Sequence, residues 1–144
     1  MEEKINNSLK MEHLEAAYHA TTYRVFSPPI EIRTGTVSAA LDLLLAQYGA
    51  TEWVFISAWN PMSVEQSPAE NETAHQQLLE AVTVYPHFEG AGVGDDGLWE
   101  PERSLLIVGV SFEKAVELGR LFRQQAIVWG RVGEMARLVM LEYN

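Results

Sequence analysis

Two apolar runs, Trp53–Ala58 and Leu105–Val110, carry large side chains at consecutive positions. A strand points successive side chains to opposite faces, so runs of this kind need an apolar cover on both sides. A sheet buried on both faces is therefore the frame this chain must build. Ala126–Trp129 supplies a third strand of the same character. Polar residues abut the first two runs: Asn60-Pro61 follows one, and Glu102-Arg103-Ser104 precedes the other. The helix expected after the first run carries Asn71 and His75 on its apolar face. Buried polar groups destabilise a fold unless they are paired, so this grouping points to a hydrogen-bond network or a site.

The remaining elements follow from periodicity and punctuation. Met11–Ala20 is rich in helix formers. Tyr23–Phe26 and Ile30–Arg33 read as strand around Ser27-Pro28-Pro29, whose prolines remove two backbone donors and place this strand at an edge or bend it. Val37–Tyr48 is predicted as a helix capped by Thr36 and stopped by Gly49, with Val37, Leu41, Leu44, Leu45 and Tyr48 as its apolar stripe. Trp59–Pro68 is a loop. Ala69–Tyr85 is a helix with Asn71, Ala74, His75, Leu78, Ala81, Val82 and Tyr85 on one face, ended by Pro86. His87–Val93 and Leu98–Trp99 flank the turn Gly94-Asp95-Asp96-Gly97. Ser111 caps a helix from Phe112 to about Arg123, and Arg137–Tyr143 is a last strand. Alternating strands and helices in the first half predict parallel neighbours, and the hairpins predict antiparallel ones. The expected fold is α/β (α+β), a mixed sheet with three to four packed helices.

A chain of 144 residues predicts one domain, with residues 1–10 a flexible start and residues 11–144 the α/β domain. Cysteine is absent, which excludes disulfides, thiolate catalysis and Cys-based metal centres. The net charge is -10, from 20 acidic and 10 basic residues. Such a chain is poorly suited to a phosphate backbone, whose binding is driven by Lys and Arg, so nucleic acid is not an expected partner. Arg103, Arg120, Arg123, Arg131 and Arg137 do concentrate in the last third, which leaves room for a local basic patch. No apolar stretch approaches the roughly 18 residues of a membrane span. Residues 1–10 are polar and do not resemble a secretory signal, so the expected compartment is the cytoplasm.

Each chemical signal has two readings. Asn60 and Asn71 belong at the carboxyl end of a strand and the amino end of the next helix, where open α/β sheets bind ligands. They could equally complete a turn, with His75 as a satisfied core residue. Glu102 at the mouth of a buried strand could serve as a general base or hold a ligand hydroxyl, or it could be an exposed residue paired with Arg103. Arg123 lies near an apolar stripe, where it could hold an anion or Glu102; if its helix ends early, it points to water. Gly90-x-Gly92-x-Gly94-x-x-Gly97 lacks the following helix that a dinucleotide loop needs, and reads as a bulged hairpin. His13, His19, His75 and His87 are scattered, so no metal site is expected. Ser57 lacks a nucleophile-elbow pattern. Trp59, beside Asn60, is the tryptophan placed to line a pocket.

Tyr18-x-x-x-Thr22-Tyr23, Ser57-Ala58-Trp59-Asn60-Pro61, Asn71 with Leu78, Trp99-x-x-Glu102-x-Ser104 and Phe122-x-Gln124-x-Ala126 together resemble the bacterial family called domain of unknown function 3293. The resemblance runs from about Tyr18 to Trp129. It implies a bacterial cytoplasmic domain and no particular activity, and it picks out Asn60, Asn71, Glu102 and Gln124.

These observations carry three functional expectations. The first is a binding or regulatory module whose pocket takes a small polar or anionic ligand, with Asn60, Asn71, His75, Glu102, Ser104, Arg123 and Gln124 as its candidate residues. The second is an acidic protein-interaction domain whose polar residues are structural. The third is a small hydrolase using Glu102 or His75 as acid/base. No cofactor is expected for any of them.

Overall fold

The computed structural model describes the backbone of residues 2–143 and the side chains of residues 10–143. Among the described residues, four helices pack against one seven-stranded sheet, the α+β class expected. Helix α1 is Glu2–His19, and it begins at Glu2 rather than near Met11, within the stretch expected to be flexible. Strands β1 (Thr21–Val25) and β2 (Ile30–Ile32) form the proline-turn hairpin. Helix α2 (Ala39–Gln47) starts later than its apolar stripe suggested, because Ser38 rather than Thr36 caps it by accepting from the Leu41 amide. Strand β3 is Glu52–Ser57 and helix α3 is Pro68–Ala81, opened by a Ser67–Glu70 capping box. Strands β4 (His87–Gly94) and β5 (Glu102–Val108) flank a long loop that contains Leu98 and Trp99, residues expected in a strand. Helix α4 (Phe112–Leu121) is capped by Ser111 as predicted. Strands β6 (Ala126–Arg131) and β7 (Arg137–Met140) complete the chain.

The strand order is β2-β1-β4-β5-β3-β6-β7. Every pairing between these strands is antiparallel. The parallel neighbours expected in the first half do not form, because β3 lies between β5 and β6 rather than beside β1. One parallel bridge, Thr34 to Ala136, joins the chain just past β2 to the chain just before β7. It ties the two edges of the sheet together, so the sheet curls.

The curl has an inside and an outside. Inside, side chains from both edges meet in one cluster that includes Tyr23, Ile32, Phe55, Leu106, Val128 and Ala136. Leu41, Leu44 and Leu45 of α2 enter this cluster and close one end of it. Outside, α3 and α4 press Leu78, Ala115 and Leu118 onto Val54, Ile56, Leu105, Ile107 and Trp129. Alternate residues of the continuous runs thus serve opposite clusters: Phe55 faces in, while Val54 and Ile56 face out. None of the helices among the described residues is long and apolar enough to cross a membrane.

Candidate functional site

The end of the curl away from α2 is lined by strand residues that lack bulk. Gly92 of β4 pairs with Glu102 of β5, and Ser104 sits between Gly90 and Ser57 of β3. Apart from Glu102, these residues carry at most a hydroxymethyl group, so the inner surface is recessed. A cavity of about 540 Å³ opens there, in the size range of small-molecule sites. Its aromatic walls are Tyr18 of α1, Tyr23, Phe55, Trp59, and Trp99 of the β4–β5 loop. An added Cβ at Gly92 would make ordinary van der Waals contacts with Thr21 and Tyr23, the nearest at 3.7 Å, so a small side chain is tolerated at this edge of the cavity. The expected bulge is absent: the registers of β4 with β1 and with β5 both run without an inserted residue.

Asn60 shapes the rim. Its backbone is left-handed (φ 44°, ψ 66°), a conformation that asparagine tolerates better than most residues. Asn71, on the first turn of α3, holds it there. The Asn60 amide donates to Asn71 Oδ1 at 2.8 Å, and Asn71 Nδ2 donates to Asn60 Oδ1 at 2.8 Å. The Gln66 amide donates to the same Asn60 oxygen at 3.0 Å. With its carbonyl fixed on one side, Asn60 turns its Nδ2 toward Glu102 Oε1, at 3.4 Å. Asn71 is buried and does not line the cavity; it acts on the site through Asn60.

Glu102 is the polar centre of the cavity. Its Oε1 has only the long Asn60 contact, and Oε2 has no hydrogen-bond partner among the described residues. Burial raises its pKa above the ordinary carboxylate value, and the Asn60 hydrogen bond lowers it only in part. Burial likewise pushes the Tyr18 hydroxyl up to about 12, with the nearby Glu102 charge adding to the effect. The two serines are occupied by the backbone. Ser104 Oγ donates to Glu102 O at 2.9 Å, and Ser57 Oγ donates to Arg103 O at 2.8 Å.

Gln124 joins the cavity because α4 stops short. The helix ends at Leu121, Arg123 takes a left-handed backbone (φ 55°), and Gln124 turns inward. Gln124 Nε2 donates to the carbonyls of Trp59 and Phe122, both at 3.2 Å, which fastens the β3–α3 loop to the end of α4. Arg123 itself is exposed and lies outside the cavity lining, so it holds neither a buried anion nor Glu102.

His75 belongs to the other face of the sheet. Neighbouring residues on a strand point to opposite sides, so Glu89 and Arg103 face out while Gly90 and Glu102 face in. The fully buried His75 sets Nε2 at 2.9 Å from Glu89 Oε1. Arg103 bonds Glu89 at 3.1 Å and Glu72 of α3 at 2.6 Å. The expected Glu102–Arg103 pair is therefore replaced by a Glu72–Arg103–Glu89–His75 chain beneath α3. For Glu89, burial pushes the pKa up, but the hydrogen bonds from His75 and Arg103 outweigh it and hold the carboxyl below its usual range.

Of the seven candidates, Asn60, Glu102, Ser104 and Gln124 thus meet at one cavity, Asn71 stands behind Asn60, and His75 and Arg123 lie elsewhere. Tyr18, Tyr23 and Trp99, which stand in the motifs of the family resemblance but were not among the candidates, line the cavity too, as does Phe55. Alternate glycines on β4 were the available signal for its floor, since strand glycines often mark close approach of a ligand or backbone. Among the described residues, no group of three or more His, Asp or Glu is arranged to hold a metal ion.

A family described as a protein of unknown function, DUF3293, matches residues 56–127. The chain belongs to this family. The matched DUF3293 segment runs from the end of β3 to the start of β6 and contains Asn60, Asn71, Glu102 and Gln124. No curated protein matches the chain, and no solved structure does.

Proposed function

We propose that this DUF3293 domain is a binding module whose ligand is a small molecule held in the open end of the curled sheet. The observation that carries this reading is Glu102. It is a half-buried carboxyl, incompletely hydrogen-bonded, in a cavity walled by aromatic side chains. Partial burial disfavours the charged form of such a group unless a donor pairs with it, and a ligand N–H would supply that donor. A structural role suits Asn71, whose bonds to Asn60 are made within the protein, and His75 lies on the other face of the sheet, where Nε2 meets Glu89 and the buried Nδ1 has no partner among the described residues. Hydrolysis is less well supported. His75 is beneath α3, and among the described residues no His, Lys or second buried carboxyl lines the cavity beside Glu102.

A fragment screen by thermal shift tests this reading, run in parallel on the wild type and Gly92→Leu. The leucine adds bulk at a residue that lines the cavity, where its Cβ meets Thr21 and Tyr23 at ordinary contact distance and no backbone atom. The expected result is a set of fragments that raise the melting temperature of the wild type and not of a folded Gly92→Leu. Fragments that stabilise both proteins equally, or none that stabilise the wild type, would overturn the proposal.

A further inference from the structure

The charges around the cavity select among ligands. Three carboxylates, Glu65, Glu100 and Glu102, are in its lining, and Lys, Arg and His contribute nothing to it among the described residues. The whole chain, these residues included, carries a net charge of -10. An anion entering this space meets only like charge, with no base to receive it. That argues against the anionic alternative raised by the sequence, since Arg123, one of its supports, is exposed and outside the lining. The walls point the same way. Tyr18, Tyr23, Trp59 and Trp99 line the cavity, and aromatic rings of this kind attract cations and stack on flat groups.

We infer that the cavity receives a small planar cation, an amidinium, guanidinium or aromatic ammonium, whose N–H groups donate to Glu102 while its flat body lies between the aromatic walls. This rests on the cavity being a ligand site, and it names the ligand class. The free Glu102 Oε2 and the weakly bonded Oε1 form an acceptor pair suited to two parallel N–H donors. Asn60 sets the orientation of that pair, because Asn71 and Gln66 hold its carbonyl and leave its amide nitrogen to the carboxylate. Trp99, 60% exposed, and Leu98, 84% exposed, stand at the mouth, where a bound ring would cover apolar surface now open to water.

Benzamidinium, benzamide and benzoate share one planar shape and differ in charge, so they form the first probe series. Tryptammonium, indole-3-ethanol and indole-3-acetate form a second, larger series. Affinities are measured by calorimetry or by ¹⁵N-indole shifts on the wild type, Glu102→Gln and Gly92→Leu. The expected order in at least one series is cation above neutral above anion. Glu102→Gln should weaken the cation about tenfold or more, because a charge-assisted hydrogen bond is lost, while the neutral amide or alcohol changes little. Gly92→Leu should abolish both. Neutral or anionic members that bind as tightly as the cations, or a cation indifferent to Glu102→Gln, would overturn the cation assignment and leave the cavity reading standing. Failure of every member of both series, in a wild type confirmed folded, would overturn the assignment; the wider fragment screen then decides the cavity reading separately.

Discussion

Glu102 and Asn71 are both polar residues in apolar surroundings, and they behave oppositely. Burial raises the Glu102 pKa in the folded chain above its ordinary 4.5, so the protonated acid suits the fold best. Its stabilising contribution is complete below that ordinary value and is lost as pH rises through the folded one. Glu102→Gln should therefore melt higher than the wild type at neutral pH, with the gap closing once the pH falls below 4.5. Equal melting temperatures across the range would mean that Glu102 is paired after all. Asn71 makes two 2.8 Å hydrogen bonds to Asn60 and is 3% exposed. Asn71→Leu leaves a left-handed residue without its clamp and should destabilise by about 2 kcal/mol, seen as a melting temperature several degrees lower. The sequence pattern marked both residues by the same sign, a polar side chain where an apolar one belongs. It could not separate them, because the difference is whether a partner lies across a loop or an open space.

Strand β4 shows how much an element's pattern can hide. Gly90, Gly92 and Gly94 alternate on one face, which a linear reading takes as turn composition. Gly92 and Gly94 line the cavity while Gly90 lies outside its lining, and Gly90 and Gly92 have different reasons to be glycine. A Cβ at Gly90 would fall 2.1 Å from the Arg24 backbone carbonyl, whereas at Gly92 the nearest atom is 3.7 Å away. Gly90→Ala should accordingly lower the denaturant midpoint markedly, and Gly92→Ala should shift it little. Equal effects would mean that the strand, and not its contacts, sets the requirement. Other elements were legible where local chemistry decides them. The Ser111 cap, the buried β3 and β5 runs and the helical face bearing Asn71, His75 and Leu78 all follow from spacing. The limits of α2 and α4 did not, since a cap at Ser38 and a left-handed Arg123 are choices among neighbours with similar propensity.

At the scale of the molecule, the order of the strands is what the sequence withheld. Which strands lie side by side depends on long-range closure, here the Thr34–Ala136 bridge between the edges, and local pattern carries no record of it. Closure also sorts the charges. Outside the curl, Glu72 and Glu89 are held below their usual pKa range; Arg103 and Gln76 do this for Glu72, while for Glu89 the bonds from His75 and Arg103 outweigh burial. At the other edge, Arg33 and Thr22 lower the pKa of Asp95. Carboxyls lowered in this way support the fold fully above their ordinary values and withdraw that support as pH falls through the folded ones. Acidification below the ordinary 4.5 of the two glutamates should thus destabilise the protein, and Arg103→Met should flatten that acid limb in a fluorescence-monitored titration. An acid limb unchanged in Arg103→Met would show that these pairs contribute nothing.

The four tryptophans offer the most direct test of the ligand cavity. Trp59 and Trp99 line it, while Trp53 and Trp129 are 2% exposed in the packed core. Titrating the benzamidinium and tryptammonium series into ¹⁵N-labelled protein and following the four indole N–H resonances reads the site by position. The predicted result is a saturable shift of Trp59 and Trp99 with Trp129 unmoved. Shifts confined to Trp53 and Trp129, or no saturable shift at Trp59 and Trp99 with any ligand that stabilises the protein, would contradict it.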